Sequence, residues 1–192
     1  MWMISFKKRL RLINRIGGNE KFLNYLNTFF DKGYYTHNNQ PDIQVPFLYD
    51  YIGRPDKTAE RVHKIMKDGF HTDRNGLPGN DDAGYKSAWY VFNSIGFCPV
   101  PGQDIYLISS PFFKKAEISL ENNKKFIAIA NHTSEKNKYI QSARLNGKEL
   151  NNTWFRHNDI INGGTLEFEM GSTYNGWGKK TIPPPSVYLP IN

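Results

Sequence analysis

Two adjacent carboxylates in a glycine-bounded loop are the residues of this chain best suited to acid–base chemistry. Asp81 and Asp82 lie between Gly79 and Gly84, directly before a segment with helical spacing. Neighbouring side chains of an extended chain point apart, so one carboxylate could face a reaction centre while the other caps the helix or binds a cation. Composition alone favours the alternative, in which Asp82 is the helix N-cap and Asp81 is a solvated loop residue.

The segment 37–42, which reads His-Asn-Asn-Gln-Pro-Asp, is a second polar loop before a predicted helix. Amide and carboxylate oxygens are the donors that hard cations such as Ca²⁺ prefer, although the spacing is not that of an EF-hand. Helix capping by Asp42 explains the same residues equally well. His63, on a later helix beside Lys64, is predicted to face solvent.

The composition is that of a globular chain with a high aromatic content. The 192 residues suit one large domain or two small ones. Hydrophobic residues make up 39%, charged residues 22% and aromatic residues 15%, which excludes a disordered chain. The aromatic surface could pack against the rest of a larger fold or stack on the C–H faces of a sugar, and both interpretations stay open.

The net charge of +7 is a local feature of the N-terminus. The first fifteen residues carry five basic residues and no acidic one, whereas the remaining chain has 20 basic and 18 acidic residues. This pattern favours a solvated helix face. No nucleic-acid recognition motif accompanies it, so we expect no nucleic acid as a partner.

Cysteine content and hydropathy exclude a cysteine-rich protein held by disulfides or metal and a protein with a membrane-spanning helix. The single cysteine, Cys98, allows neither a disulfide framework nor a cysteine-based metal site, and its apolar neighbours predict burial. No apolar run approaches the roughly 20 residues of a membrane span. The first fifteen residues do not have the order of regions typical of a signal peptide.

Four segments in the first half show apolar residues at helical spacing. The last of them follows the carboxylate loop and is predicted to run from Tyr85 to Ile95, with Ala88 and Val91 on its buried side. Trp89 is expected to pack in the core. The other three are predicted to run from Asn19 to Gly33, from Val45 to Gly53 with Pro46 in the first turn, and from Pro55 to Gly69.

The second half shows the spacing of strands. Asn122-Asn123 and Asn146-Gly147 predict tight hairpin turns, and the prolines 183–185 predict a trailing edge rather than a central strand. The change from helices to strands falls near residues 96–103, which predicts an α+β fold with segregated layers. The strands are predicted near residues 104–109, 116–121, 126–129, 139–145 and 165–170.

The run from Gly76 to Val100 resembles the signature of glycoside hydrolase family 92. It reads Gly-Leu-Pro-Gly-Asn-Asp-Asp-Ala-Gly, then Ser-Ala-Trp-Tyr, then Gly-Phe-Cys-Pro-Val. Matches to the family pattern continue upstream in Gly-Gly-Asn-Glu-Lys-Phe at 17–22 and Asn-Gln-Pro at 39–41, and downstream as far as Gly-Gly-Thr-Leu at 163–166. The resemblance covers about residues 16 to 175, nearly the whole chain.

The resemblance implies a fold of larger extent than this chain. Family members have a β-sandwich, an (α/α)6 toroid and further β structure. By resemblance, residues 1–100 are helices of an incomplete toroid, and residues 101–192 form an antiparallel, β-sandwich-like C-terminal region.

The resemblance also implies a function, namely that of a Ca²⁺-dependent, inverting exo-α-mannosidase that hydrolyses terminal α-linked mannose from glycans. It implies that Asp81 and Asp82 are catalytic, at the general-base side of the site. Asn39, Gln40 and Asn80 would bind the substrate. Gln40 and Asp82 would be the metal ligands contributed by this chain.

Three departures from the family pattern are visible. Cys98 stands where the family has Tyr, Gln40 where many members have Glu, and residues 42–44 read Asp-Ile-Gln in place of Ser-His-His. The Glu that serves the family as general acid lies upstream of the segment matched here. A fragment that is inactive alone, or that needs the N-terminal half of the enzyme as partner, is therefore expected.

The alternative is a carbohydrate-binding or structural remnant without catalysis, in which the strands of residues 104–170 form a stable module. Exposure of Trp154, Phe155 and Trp177 on one face would favour sugar binding, and their burial would disfavour it. The resemblance suggests a secreted or periplasmic location, although no signal peptide is seen in this sequence.

Overall fold

The computed structural model describes residues 6–184, without the side chains of residues 6–10 and Asn122. The side chains of Lys7, Lys8 and Arg9 in the basic N-terminal cluster, and Pro185 of the proline run, therefore lie outside what the structure describes. Among the described residues there are four α-helices, four short 3-10 helices and eight strands. The α-helices are α1 (Phe6–Ile16), α2 (Asn19–Asp31), α3 (Pro55–Gly69) and α4 (Tyr85–Ile95), and the 3-10 helices are Gln40–Asp42, Val45–Ile52, Glu121–Asn123 and His157–Asp159.

The helices follow the sequence pattern closely at their ends. The helix predicted from Pro55 begins and ends where expected, with proline in the first turn. The segment Val45–Ile52 was expected to be an α-helix but is a 3-10 helix that ends at Gly53, whose φ is 70°. A Cβ at Gly53 would lie 2.5 Å from the carbonyl oxygen of Lys179, so this turn requires glycine.

The strands form two sheets. The three-stranded sheet is antiparallel, in the order β1-β2-β7, and consists of β1 (Phe97–Pro99), β2 (Ile105–Ile108) and β7 (Trp154–Arg156). The five-stranded sheet has the order β3-β4-β8-β5-β6 and consists of β3 (Lys115–Ser119), β4 (Lys125–Asn131), β5 (Tyr139–Leu145), β6 (Lys148–Glu149) and β8 (Gly164–Gly171).

The expected α+β organisation is confirmed, but the expected antiparallel pairing holds only in part. In the larger sheet β8 lies between β4 and β5 and pairs with β4 in parallel, from Phe126 opposite Gly164 to Asn131 opposite Glu169. The sheet is therefore mixed. A long connection brings β8 back into the middle of the sheet, and the local hydrophobic pattern of a strand does not determine which neighbour it joins.

One of the two predicted hairpins is confirmed. Asn146 and Gly147 both have positive φ and join β5 to β6. The turn at Asn122-Asn123 is not a two-residue hairpin, because Ser119 pairs with Lys125 and a 3-10 turn fills the longer connection.

Three hydrophobic clusters connect the layers. One lies within the β region around Phe97, Phe126 and Phe168. A second joins α3 and α4 to the small sheet through Val62, Trp89 and Leu107, so the helices and the strands share a core. The third holds α1 and α2 against the 3-10 helix Val45–Ile52. Across residues 6–184, no helix combines the length and apolarity needed to cross a membrane.

Candidate active site

The carboxylate loop enters α4 through three consecutive residues with positive φ. These are Asp82, Ala83 and Gly84, with φ of 55°, 60° and 89°. Glycine adopts this conformation freely, whereas a residue with a Cβ is disfavoured there, and alanine has no side-chain hydrogen bond to compensate. Backbone strain of this kind concentrates at functional sites, where the surrounding structure maintains it.

Asp81 closes the first turn of α4. Its Oδ1 accepts hydrogen bonds from the backbone N–H of Ser87 at 2.9 Å and from the Ser87 hydroxyl at 3.0 Å. These bonds, the backbone N–H of Ser87 above all, lower the pKa of Asp81 from its usual value. The interpretation of Asp82 as the N-cap is therefore wrong, since the reversal at residues 82–84 places Asp81 over the helix end.

Asp82 is left with its carboxylate available. The side chain is half-exposed, and it accepts no hydrogen bond from the residues that the structure describes. The residue takes part in the strained turn and yet does not cap the helix. Both carboxylates are half-exposed, but Asp81 has one oxygen engaged by Ser87, whereas both oxygens of Asp82 are available to a water molecule, a cation or a ligand.

The two predicted site loops meet through their backbones. A Cβ at Gly79 would lie 2.9 Å from the carbonyl oxygen of Asn38, so the loops pack as closely as glycine allows. The ammonium group of Lys86 also bridges them, since it donates to the carbonyl oxygens of Asn38 and Pro78. The two loops are thus joined directly before residues 39–40 and directly before residues 80–82.

The amide side chains of the two loops are open to solvent. Asn39, Gln40 and Asn80 are all exposed. Asn39 precedes the 3-10 helix Gln40–Asp42 in an extended conformation, and no side-chain hydrogen bond caps that helix. The interpretation of Asp42 as a cap of the following helix is wrong, because Gln44 occupies the N-cap position of the 3-10 helix Val45–Ile52 and no side-chain hydrogen bond caps it. The amides can instead contact a ligand.

His37 is the buried first residue of the segment 37–42. Its Nδ1 is 2.6 Å from the hydroxyl of Tyr35, and its ring centroid is 4.3 Å from that of Trp89. Burial, with a smaller contribution from Lys86, lowers the pKa of His37 to about 4. Trp89 is buried as expected and donates to the carbonyl oxygen of Ile43 at 3.0 Å.

The buried face of α4 differs from the predicted one. Ala88 and Val91 are exposed, whereas Lys86, Trp89 and Asn93 face inward. Lys86 was missed in the sequence because a lysine among apolar residues at helical spacing is normally assigned to the solvent side. The sequence feature that could have indicated the burial of Lys86 is its position three residues before Trp89, on the same face of the helix.

The donors of the two loops are compatible with a hard cation. Gln40 and Asp82 offer an amide oxygen and a carboxylate, the ligand types that Ca²⁺ binds. Within residues 6–184 no group of three His, Cys, Asp or Glu side chains could hold a metal ion, so these loops would supply only part of a coordination shell, and other oxygens would complete it.

His63 does not face solvent as predicted. The Ser110 hydroxyl donates to the carbonyl oxygen of Lys138 at 2.5 Å, so the Nε2–H of His63 donates to the Ser110 oxygen at 2.8 Å. The imidazole also stacks on Phe112, with ring centroids 4.2 Å apart. Because the serine proton is directed to a carbonyl oxygen, this pair is a structural contact.

The aromatic residues of the β region do not form an exposed sugar-stacking face. Phe155 and Trp177 are buried, at 1% and 8% exposure, and Trp177 donates to the carbonyl oxygen of Leu150 at 3.0 Å. Trp154 is half-buried. This arrangement disfavours the carbohydrate-binding remnant.

Sequence comparison identifies the family. Residues 2–172 match the Glycosyl hydrolase family 92 catalytic domain, and the chain belongs to this family. It is 38% identical over 178 residues to an uncharacterized secreted glycosidase of Arthroderma benhamiae, a match that covers 90% of this chain and 23% of that protein.

Solved structures of the family resemble the fold throughout. A family GH92 α-mannosidase of Bacteroides thetaiotaomicron, also determined in complex with mannoimidazole, is 34% identical with a TM-score of 0.83, over 93% of this chain and 25% of that chain. An inverting GH92 mannosidase of the same organism is 32% identical with a TM-score of 0.82, over 91% and 28%. The chain thus spans about a quarter of the length of these relatives.

Proposed function

We propose that this chain forms the general-base side of a Ca²⁺-dependent, inverting exo-α-mannosidase site that acts on terminal α-linked mannose of glycans. The observation that carries the proposal is the free carboxylate of Asp82, on a strained turn in a loop whose backbone packs against Asn38, next in sequence to the exposed amides of Asn39 and Gln40. Membership of family 92 and the likeness to an inverting mannosidase support the reaction class.

The Asp81–Asp82 pair would supply the base. In an inverting glycosidase one carboxylate activates a water molecule while an acid, roughly 6.5–9.5 Å away, protonates the leaving oxygen. Asp81 is held ionised by the hydrogen bonds from Ser87 and fixes the loop on α4. Asp82, with its open carboxylate, would take the proton of the water.

The exposed amides would bind the sugar and the cation. Asn39 and Asn80 can each donate to and accept from mannose hydroxyls. Gln40 and Asp82 would hold Ca²⁺, which when bound would help to orient and distort the mannose ring towards the oxocarbenium-like transition state.

We further propose that the general acid comes from outside these 192 residues, on a polypeptide that corresponds to the N-terminal part of the relatives. Residues 1–100 would contribute helices to an (α/α)6 toroid, and residues 101–192 would form the C-terminal β region. The exposed apolar side of α4, with Ala88 and Val91, supports this, because such a surface is typical of a helix that packs against further protein. The secreted relative favours a secreted or periplasmic location.

The test is binding of mannoimidazole to the purified chain by calorimetry, in Ca²⁺ and in EDTA, beside release of mannose from α-1,2-mannobiose. We expect weak, Ca²⁺-dependent binding that Asp82→Asn abolishes, and no release of mannose without a general acid. Lys64→Met, which removes an exposed charge from α3, is the matched control and should bind like the wild type.

Two results would contradict parts of the proposal. A chain that is folded by circular dichroism but does not bind mannoimidazole at millimolar concentration lacks the proposed sugar site. Ca²⁺-dependent turnover that is lost in Asp82→Asn would retain the site, but would show that the acid is present in this chain.

A further inference from the structure

Lys86 is a fully buried cation at the point where the two site loops meet. Its exposed fraction is 0%, although lysine is rarely buried to this extent. Its Nζ donates to the carbonyl oxygen of Asn38 at 2.7 Å and to that of Pro78 at 2.9 Å. Asn38 directly precedes the exposed amides of the first loop, and Pro78 belongs to the carboxylate loop. One ammonium group therefore connects both halves of the candidate site.

The buried charge is compensated by backbone oxygens from two separate segments. A buried charge is costly unless it is paired or hydrogen-bonded, and hydrogen bonds to charged groups are stronger than neutral ones. Replacing the ammonium by a methyl group would leave two carbonyls unpaired at once. The contact between Gly79 and Asn38 is also too close for any other residue, so the two loops are held by both steric fit and charge.

We propose that Lys86 is a positioning residue for the candidate mannosidase site. Its ammonium holds residues 36–40 against residues 76–84 through the carbonyl oxygens of Asn38 and Pro78, and thereby fixes the two loops relative to each other even when no cation is bound. The roles of those side chains rest on the proposed function, whereas the connection between the loops rests on the two hydrogen bonds of Lys86.

The test is amide hydrogen exchange of the intact chain, followed by mass spectrometry. In Lys86→Met we expect exchange in residues 36–40 and 76–84 to rise about tenfold or more, while exchange in β4, β5 and β8 changes by less than about twofold. Lys86→Arg keeps the charge and the donors and should recover part of the protection. Lys64→Met should match the wild type throughout.

Calcium provides the decisive comparison. In EDTA the wild-type loops should keep most of the protection that they have in Ca²⁺, because the hydrogen bonds of Lys86 remain when the cation is removed. If EDTA loosens them as much as Lys86→Met does, the cation and not the lysine organises the site, and the proposal is wrong. A uniform rise of exchange across helices and sheets in Lys86→Met would also overturn it, since it would indicate general destabilisation.

A second variant covers the case in which Lys86→Met does not fold. Gly79→Ala forces the loops apart while Lys86 remains, and we expect faster exchange in residues 36–40, on the other loop. Unchanged exchange there would contradict the connection. Failure of the wild-type chain to bind mannoimidazole would refute the proposed function alone, because the exchange experiment contains no sugar.

Discussion

Acid is expected to destabilise this chain through His63, whose half-buried imidazole contacts Ser110 and Phe112. Burial, and then the positive charge of Lys138, lower the pKa of His63 from 6.5 to about 4, against smaller opposing effects of Ser110 and Glu135. Between these two pH values the unfolded chain takes up a proton that the folded chain does not. The stability is therefore complete above pH 6.5 and falls as the pH decreases towards 4.

The size of the effect follows from the shift. One pKa unit corresponds to about 1.36 kcal/mol, and pH 5 lies about 1.5 units below the unfolded-state pKa. His63 should thus cost about 2 kcal/mol of the free energy of unfolding at pH 5. His37, with a pKa lowered equally, should add about the same amount.

The assay is urea denaturation of the wild type, His63→Gln and His71→Gln at about pH 7.5 and about pH 5. Glutamine can keep the donor to Ser110 but cannot titrate. Between the two pH values, His63→Gln should lose about 2 kcal/mol less stability than the wild type, and the exposed control His71→Gln should lose as much as the wild type. Equal losses in all three proteins would show that His63 does not titrate below its normal range in the fold.

Three further predictions concern the carboxylate loop and the core. Asp81→Asn should lower the Tm because it weakens the hydrogen bonds to Ser87, whereas Asp82→Asn should leave the Tm unchanged. Calorimetry should show that both variants lose mannoimidazole binding. Equal melting temperatures of the two variants would contradict the assigned roles. Ala83→Gly should stabilise the chain by about 1 kcal/mol, because glycine adopts a positive φ without strain. The Tm should rise by about 2–4 °C, and a lower Tm would show that the turn is not strained. Asp50 is buried, and burial raises its pKa well above the usual value of 3.8. The wild type should therefore lose stability as the pH rises above that value, and Asp50→Asn should not; urea denaturation that shows the same trend in both proteins would indicate that Asp50 is charged in the fold.

The conformational preferences of individual residues made several helices and turns predictable. Pro55 and Gly69 delimit α3 because proline fits only the first turn of a helix and glycine readily ends one. Asn146-Gly147 predicts the β5–β6 hairpin because both residues accept positive φ. The specific run of residues 76–100 identified family 92, and it directed attention to the loop that carries Asp81 and Asp82.

Other features depend on contacts between residues far apart in the sequence. The parallel pairing of β8 with β4 cannot be derived from alternation, which determines the buried face of a strand but not its neighbour. Similarly, α4 has apolar residues on both sides, and only packing against the loops decided that Lys86 and Trp89 face inward. The assignment of the cap to Asp81 follows from three successive positive φ values.

The sequence by itself determined the family, the order of helices and strands, and the two loops that carry the candidate site. Each of these depends on residue types within a short stretch, where conformational preference and motif spacing act directly. Only the tertiary structure decided that the loops meet at Asn38 and Gly79, that Asp81 rather than Asp82 bonds to the first turn of α4, and that a buried lysine joins the two halves. The physical reason is that a buried charge is tolerated only where its acceptors converge, and these acceptors come from segments about forty residues apart.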